Sequence, residues 1–114
     1  MTTSNSGKKI ALAEALDRLP GPQGELSVGV FEHGSLVVKL YAPRGHDDQR
    51  PHSRDEVYVV ARGGGEFVRD GARHGCGPHD VLFAAASVEH RFENFTDDFA
   101  VWVFFYGPEG GEVD

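Results

Sequence analysis

The sequence predicts an all-β domain: a sandwich, jelly roll or small barrel of about eight short strands behind one short helix. Three observations lead there. From about residue 26 onward the apolar residues recur with period 2 instead of 3.6. Turn signals interrupt the chain roughly every 8–12 residues. Helical spacing appears once, near the N-terminus.

The elements follow in order. Met1 to Lys9 is polar and reads as a flexible tail without the apolar core of an export signal. In Ile10–Leu19, Leu12, Leu16 and Leu19 fall at i, i+4, i+7, one face of a short helix that Pro20-Gly21-Pro22 must end. Leu26 to Phe31 reads as a strand. Ser35 to Tyr41 is a second, with Leu36, Val38 and Leu40 on one face and Val37, Lys39 and Tyr41 on the other. A polar loop, Gly45 to Asp55, leads into Glu56–Ala61, which Gly63-Gly64-Gly65 breaks. Glu66–Arg69, the Asp70-Gly71 turn and a return strand form a hairpin. Val81–Ala85, Val88–Phe95 and Phe99–Tyr106 complete the set. The expected division is a tail over 1–9, helix and turn over 10–24, a β-barrel over 25–107 and a second tail over 108–114.

A chain of 114 residues supports one core, not two. The net charge of -7 and the scattered basic residues argue against nucleic acid or an anionic membrane as partner. No apolar run is long enough to span a bilayer. Cys76 stands alone, so no internal disulfide forms; a cytoplasmic protein is the expectation. The final strand is apolar on both faces, with Trp102, Phe104 and Tyr106 on one and Val101, Val103 and Phe105 on the other. One face is core. The other calls for a cover, either the N-terminal helix or a second subunit, hence an expected homodimer.

The stretch GHDDQRPHSRDE, Gly45 to Glu56, concentrates the groups that carry chemistry. On a straight strand His52 and Glu56 would lie about 13 Å apart, too far for one metal with bonds near ~2.1 Å. A bend at Ser53-Arg54-Asp55 would let them converge. His90 shares a strand face with Val88, Phe92 and Asn94, while Glu89, Arg91 and Glu93 take the other. It reads either as a third ligand or as a core histidine satisfied by a hydrogen bond.

At this point the sequence resembles the cupin family, over roughly Leu26 to Tyr106. Gly45, then His52-x-x-x-Glu56, then six residues to Gly63, looks like the family's first motif. His90-x-x-x-Asn94 looks like the end of its second. The resemblance implies a jelly-roll barrel holding a divalent transition metal (Fe, Mn, Ni or Zn) through His52, Glu56 and His90. The departures are specific. Arg50 occupies the place of the first motif's first histidine. His79, Ala85 and Ser87 stand where glycine, proline and glycine are usual. The missing ligand has four candidate replacements: the Gln49 carbonyl oxygen, His46 looping back, a water molecule, or nothing.

The remaining polar groups read more plainly. Asp47, Asp48 and Asp55 are expected to be solvated, or one of them to orient a ligand histidine. Tyr58, Phe92 and Arg50 are the candidate pocket residues; Tyr58 reads equally as a core aromatic, and Arg50 either as a surface arginine, the favoured reading, or as a clamp for an anionic substrate at the mouth. His33 and His74 lie at turns. Cys76 has no matched base to make it a nucleophile, and the triple glycine has no following helix to make it a phosphate loop. The functional expectation is a metal-dependent enzyme on a small molecule, dioxygenase-like or isomerase-like. The alternative is a non-catalytic binding or sensing domain, possible even without metal.

Overall fold

The computed structural model describes residues 7–113. It has one helix, α1 (Leu12–Asp17), and eight strands: β1 (Ser27–His33), β2 (Leu36–Tyr41), β3 (Asp55–Arg62), β4 (Gly65–Arg69), β5 (Ala72–Cys76), β6 (Val81–Ala84), β7 (His90–Glu93) and β8 (Ala100–Tyr106). All pairings are antiparallel. Five strands form one sheet in the order β1-β2-β8-β3-β6, and three form a second in the order β5-β4-β7. This is a jelly roll, one of the three architectures the alternation left open and the one the family resemblance implies.

The period-2 pattern sorts side chains between two clusters. Tyr58, Val60, Phe67, Ala84, Phe92, Phe99, Val101 and Val103 fill the space between the sheets. Edge-on aromatic contacts knit them: Phe92 meets Tyr58 at 5.0 Å between ring centroids and Phe99 at 5.0 Å. The opposite face of the large sheet is covered in part by α1. Leu12, Ala15, Leu16 and Leu19 pack there on Val28, Leu40, Ala100 and Trp102. The helix is thus the cover that one side of β8 required. It stops at Asp17, short of the prolines, because the Arg18 and Leu19 N–H groups tighten onto Ala15 and Leu16 carbonyls three residues back.

Parity and pairing fix what points into the barrel. Lys39 lies opposite Val103 and Tyr41 opposite Val101, so both join the interior face. Glu56 lies opposite Phe105 and Ala84. At the other end of the chain, Asp55 accepts from the Glu112 N–H at 2.8 Å, and the Gly110 N–H reaches Ser53 O. Residues 110–112 are therefore fastened beside the start of β3. The flexible tail expected at 1–9 falls, for its first six residues, outside the described part.

Candidate metal centre

The chain bends at Ser53 and Arg54, immediately before β3 begins. That bend brings His52 Nε2 to 3.8 Å from Glu56 Oε1. From β7, on the facing sheet, His90 presents Nε2 at 2.7 Å from the same oxygen. One ligand atom from each of the three residues lies within 4.8 Å of the others. Glu56 is 1% exposed and His90 2%, while His52 is half-exposed and packs edge-on against Phe105 at 5.1 Å.

Two details bear on what this cluster can hold. Both Glu56 side-chain oxygens are buried away from water, with Oε1 2.7 Å from His90 Nε2 as their close polar neighbour. A carboxylate buried with only imidazoles for polar company is costly, and it fits a cation arriving between it and them. The second detail is the His90 tautomer. Nδ1 lies 2.8 Å from the Val88 carbonyl, which can only accept, so Nδ1 carries a proton. With a cation present the neutral ring would offer it the Nε2 lone pair, the arrangement in which a histidine ligates metal while its other nitrogen is held by a carbonyl. Without metal, burial disfavours charging His90, but the Glu56 carboxylate and the Val88 carbonyl outweigh it. Its pKa sits above the usual imidazole value.

The Tyr58 hydroxyl, 3.0 Å from His90 Nε2, donates to Gln49 Oε1 at 2.7 Å. Gln49 Nε2 in turn donates to Asp47 Oδ2 at 2.7 Å. Asp47 also accepts from the Tyr41 hydroxyl at 2.5 Å, the Gln49 N–H at 3.2 Å and the Phe92 N–H at 2.8 Å. Burial first, and then the nearby Glu56 charge, push the Tyr58 hydroxyl far above its ordinary pKa, so it stays a neutral donor.

The structure therefore brings His52, Glu56 and His90 together. It places Gln49 beside them, but with its carbonyl oxygen already bonded to Tyr58. His46 is turned away: it is exposed and bonds Asp48 at 3.0 Å. Arg50 is exposed, and Phe92 is sealed in the aromatic core at 1% exposure. A cavity of about 360 Å³ opens beside the cluster, bordered by Tyr41, Gln49, His52 and Phe105. Tyr58, Phe92 and Arg50 do not border it. The expectation of solvated aspartates is corrected for two of the three, since Asp47 is 8% exposed and Asp55 4%. Protein donors replace their water: the Ala86 and Glu112 N–H groups at Asp55, and the Phe92 N–H with Tyr41 and Gln49 at Asp47. Lys39, which borders the cavity, was not singled out from the sequence. Its signal was present in its parity with Tyr41, but only the strand order shows that this parity faces inward.

The jelly roll with two histidines and a glutamate converging inside it is the arrangement of a cupin domain. The chain belongs to the cupin family, whose domain model matches residues 37–106. An uncharacterised protein of Streptomyces coelicolor is 33% identical over 77 residues, covering 66% of this chain and 73% of that one. Among solved structures, a cupin 2 conserved barrel domain protein from Salinispora arenicola has a TM-score of 0.61 at 20% identity, covering 71% of this chain and 74% of its own. KdgF from a Halomonas species scores 0.61 at 19% identity over 72% of this chain and 80% of its own. The DMSP lyase DddQ of Ruegeria pomeroyi scores 0.63 at 22% identity over 71% of this chain and 46% of its own. At these identities the structural matches establish the fold.

Proposed function

We propose that this cupin is a metal-dependent enzyme acting on a small molecule, with His52, Glu56 and His90 as the protein ligands of a divalent Fe, Mn, Ni or Zn ion. The observation that carries the reading is the buried Glu56 carboxylate, its Oε1 set 2.7 Å from His90 Nε2 and 3.8 Å from His52 Nε2. A two-histidine, one-carboxylate set leaves coordination positions open, and is the donor set of non-haem Fe(II) oxygenases. The bound ion would supply Lewis acidity toward a substrate oxygen. The chain's own residues do the rest. The Val88 carbonyl orients His90, and the Tyr58 hydroxyl stays protonated beside it. Gln49 is held by Tyr58 and Asp47, so it stands as a neighbour of the centre that keeps its floor rigid. The cavity bordered by His52 is the place for the substrate.

Metal analysis of tag-free protein tests the centre. Near-stoichiometric metal is expected. Less than about 0.1 per chain, with no uptake of added Fe(II), Mn(II), Ni(II) or Zn(II), would sink it. His90→Ala should abolish uptake, and Arg50→Ala should leave it unchanged. Turnover is a separate question: oxygen consumption or product formation with diketones, diols and phenols distinguishes an enzyme from a binding domain.

A further inference from the structure

The cavity beside the cluster carries charge of the opposite sign to the rest of the molecule. The chain has a net charge of -7. Yet Lys39 and Arg44 both border this cavity, and among the described residues neither takes part in an ion pair. The bordering acid, Asp48, is exposed and bonded to His46. Lys39 is unusual for its place. It sits on the inward face of β2, opposite Val103, with its ammonium 5.9 Å from the centre of the Phe105 ring. His52 packs against that same ring. One aromatic side chain therefore lies between the cation and the nearest candidate metal ligand. Leu26 and Val103 add apolar wall.

We propose that this cavity binds a small organic carboxylate, its charge met by Lys39 and Arg44 and its apolar body by Leu26, Val103 and Phe105. Two side-chain cations, with no helix N-terminus among the residues that border the cavity, suit a compact monoanion better than a phosphate, which is typically cradled by several backbone N–H groups. About 360 Å³ suits a ligand of six to ten heavy atoms with room for water. Opposite Lys39, the acid's other end reaches toward His52. Only this orientation rests on the proposed metal centre; the anion subsite stands without it.

The test is a titration of the full chain, metal-free and after Zn(II) addition, with benzoate and hexanoate and with their neutral amides benzamide and hexanamide. Binding is followed by calorimetry and ligand-observed NMR. The acids are expected to bind at least about tenfold more tightly than the amides. Lys39→Met should lower acid affinity by about tenfold or more and leave amide affinity alone, as expected for losing one charge-assisted contact. A readout on the native chain guards against a misfolded variant. The chain has three lysines, Lys8, Lys9 and Lys39. After ¹³C-methylation, with assignments from Lys8→Arg and Lys9→Arg, the Lys39 signal should shift with benzoate and not with benzamide. Acids that bind no better than amides in either metal state overturn the proposal, as does an unmoved Lys39 signal. Failure to take up Zn(II) would sink the metal centre alone, because the metal-free titration still decides the anion subsite.

Discussion

Glu56 bears the tension of the site. A carboxylate at 1% exposure, facing only imidazoles, costs the fold desolvation and suits a cation. Glu56→Gln keeps the shape and removes the charge. It should reduce metal affinity at least about 100-fold while the metal-free protein stays within about 1 kcal/mol of the parent in urea unfolding. Equal losses of metal and stability would mark Glu56 as a structural residue instead. Two other residues hold strain of a different kind. His79 and Ser87 have φ of 76° and 68°, the left-handed region that suits glycine. They are the positions where the resemblance to the family led one to expect glycine, so the backbone keeps the turn and the side chain bears the cost. His79→Gly and Ser87→Gly should each stabilise by about 1 kcal/mol, a rise of some 4 °C or more in Tm. Both leave intact the main-chain bonds these residues donate, to Val60 and His52 respectively.

At the scale of elements, the junctions are more exacting than the strands. Gly63, between β3 and β4, has φ of 71°, and a Cβ there would lie 2.4 Å from Thr96 Oγ1 and 2.8 Å from the Phe99 Cα. Gly63→Ala should cost at least about 2 kcal/mol by denaturant unfolding, from strain and clash together. The N-terminus of β3 is held by Asp55, whose pKa is depressed by N–H bonds from Glu112 and Ala86. A depressed carboxylate contributes stability above its unfolded value, about 3.9, and loses it as pH falls through the lower folded value. Asp55→Asn should therefore flatten part of the acid limb of a Tm-against-pH curve below about pH 4, with the larger deficit at neutral pH. The strands themselves were legible in the sequence because period 2 and turn residues are local properties. The bend before β3 was legible too, from the reach that His52 and Glu56 would otherwise lack. Asp47 was not. Its donor from Phe92 comes from 45 residues away, and no local pattern in Gly45–Glu56 records it.

For the whole molecule, the site joins the two sheets, Glu56 coming from the large one and His90 from the small one, with Tyr58 packed in the aromatic core beside them. Which histidines converge could be read from two spaced motifs. Which cations line the cavity could not, because Lys39 points inward only once β2 is placed beside β8. The large sheet is capped by α1 over Leu40, Ala100 and Trp102, while Val81 and Phe83 on the edge strand β6 remain 67% and 48% exposed. Leu16→Ala should weaken the helix cover by about 1–2 kcal/mol, less than a fully buried leucine, and should leave metal stoichiometry unchanged. Coupled loss of both would mean that the cover and the centre fold as one unit.

The segment from Arg44 to His52 forms one wall of the cavity, and the Asp47 carboxylate fastens it at both oxygens to Tyr41 and Phe92 of the barrel. A wall anchored in this way makes a poor shutter. Molecules of the right size would enter through a doorway of constant width, so selection falls on girth at the threshold before any affinity inside is felt. Stopped-flow mixing with a small acid should then show one exponential whose rate rises linearly with concentration. A plateau would reveal a slow opening step, and with it a loop that lets go of Asp47.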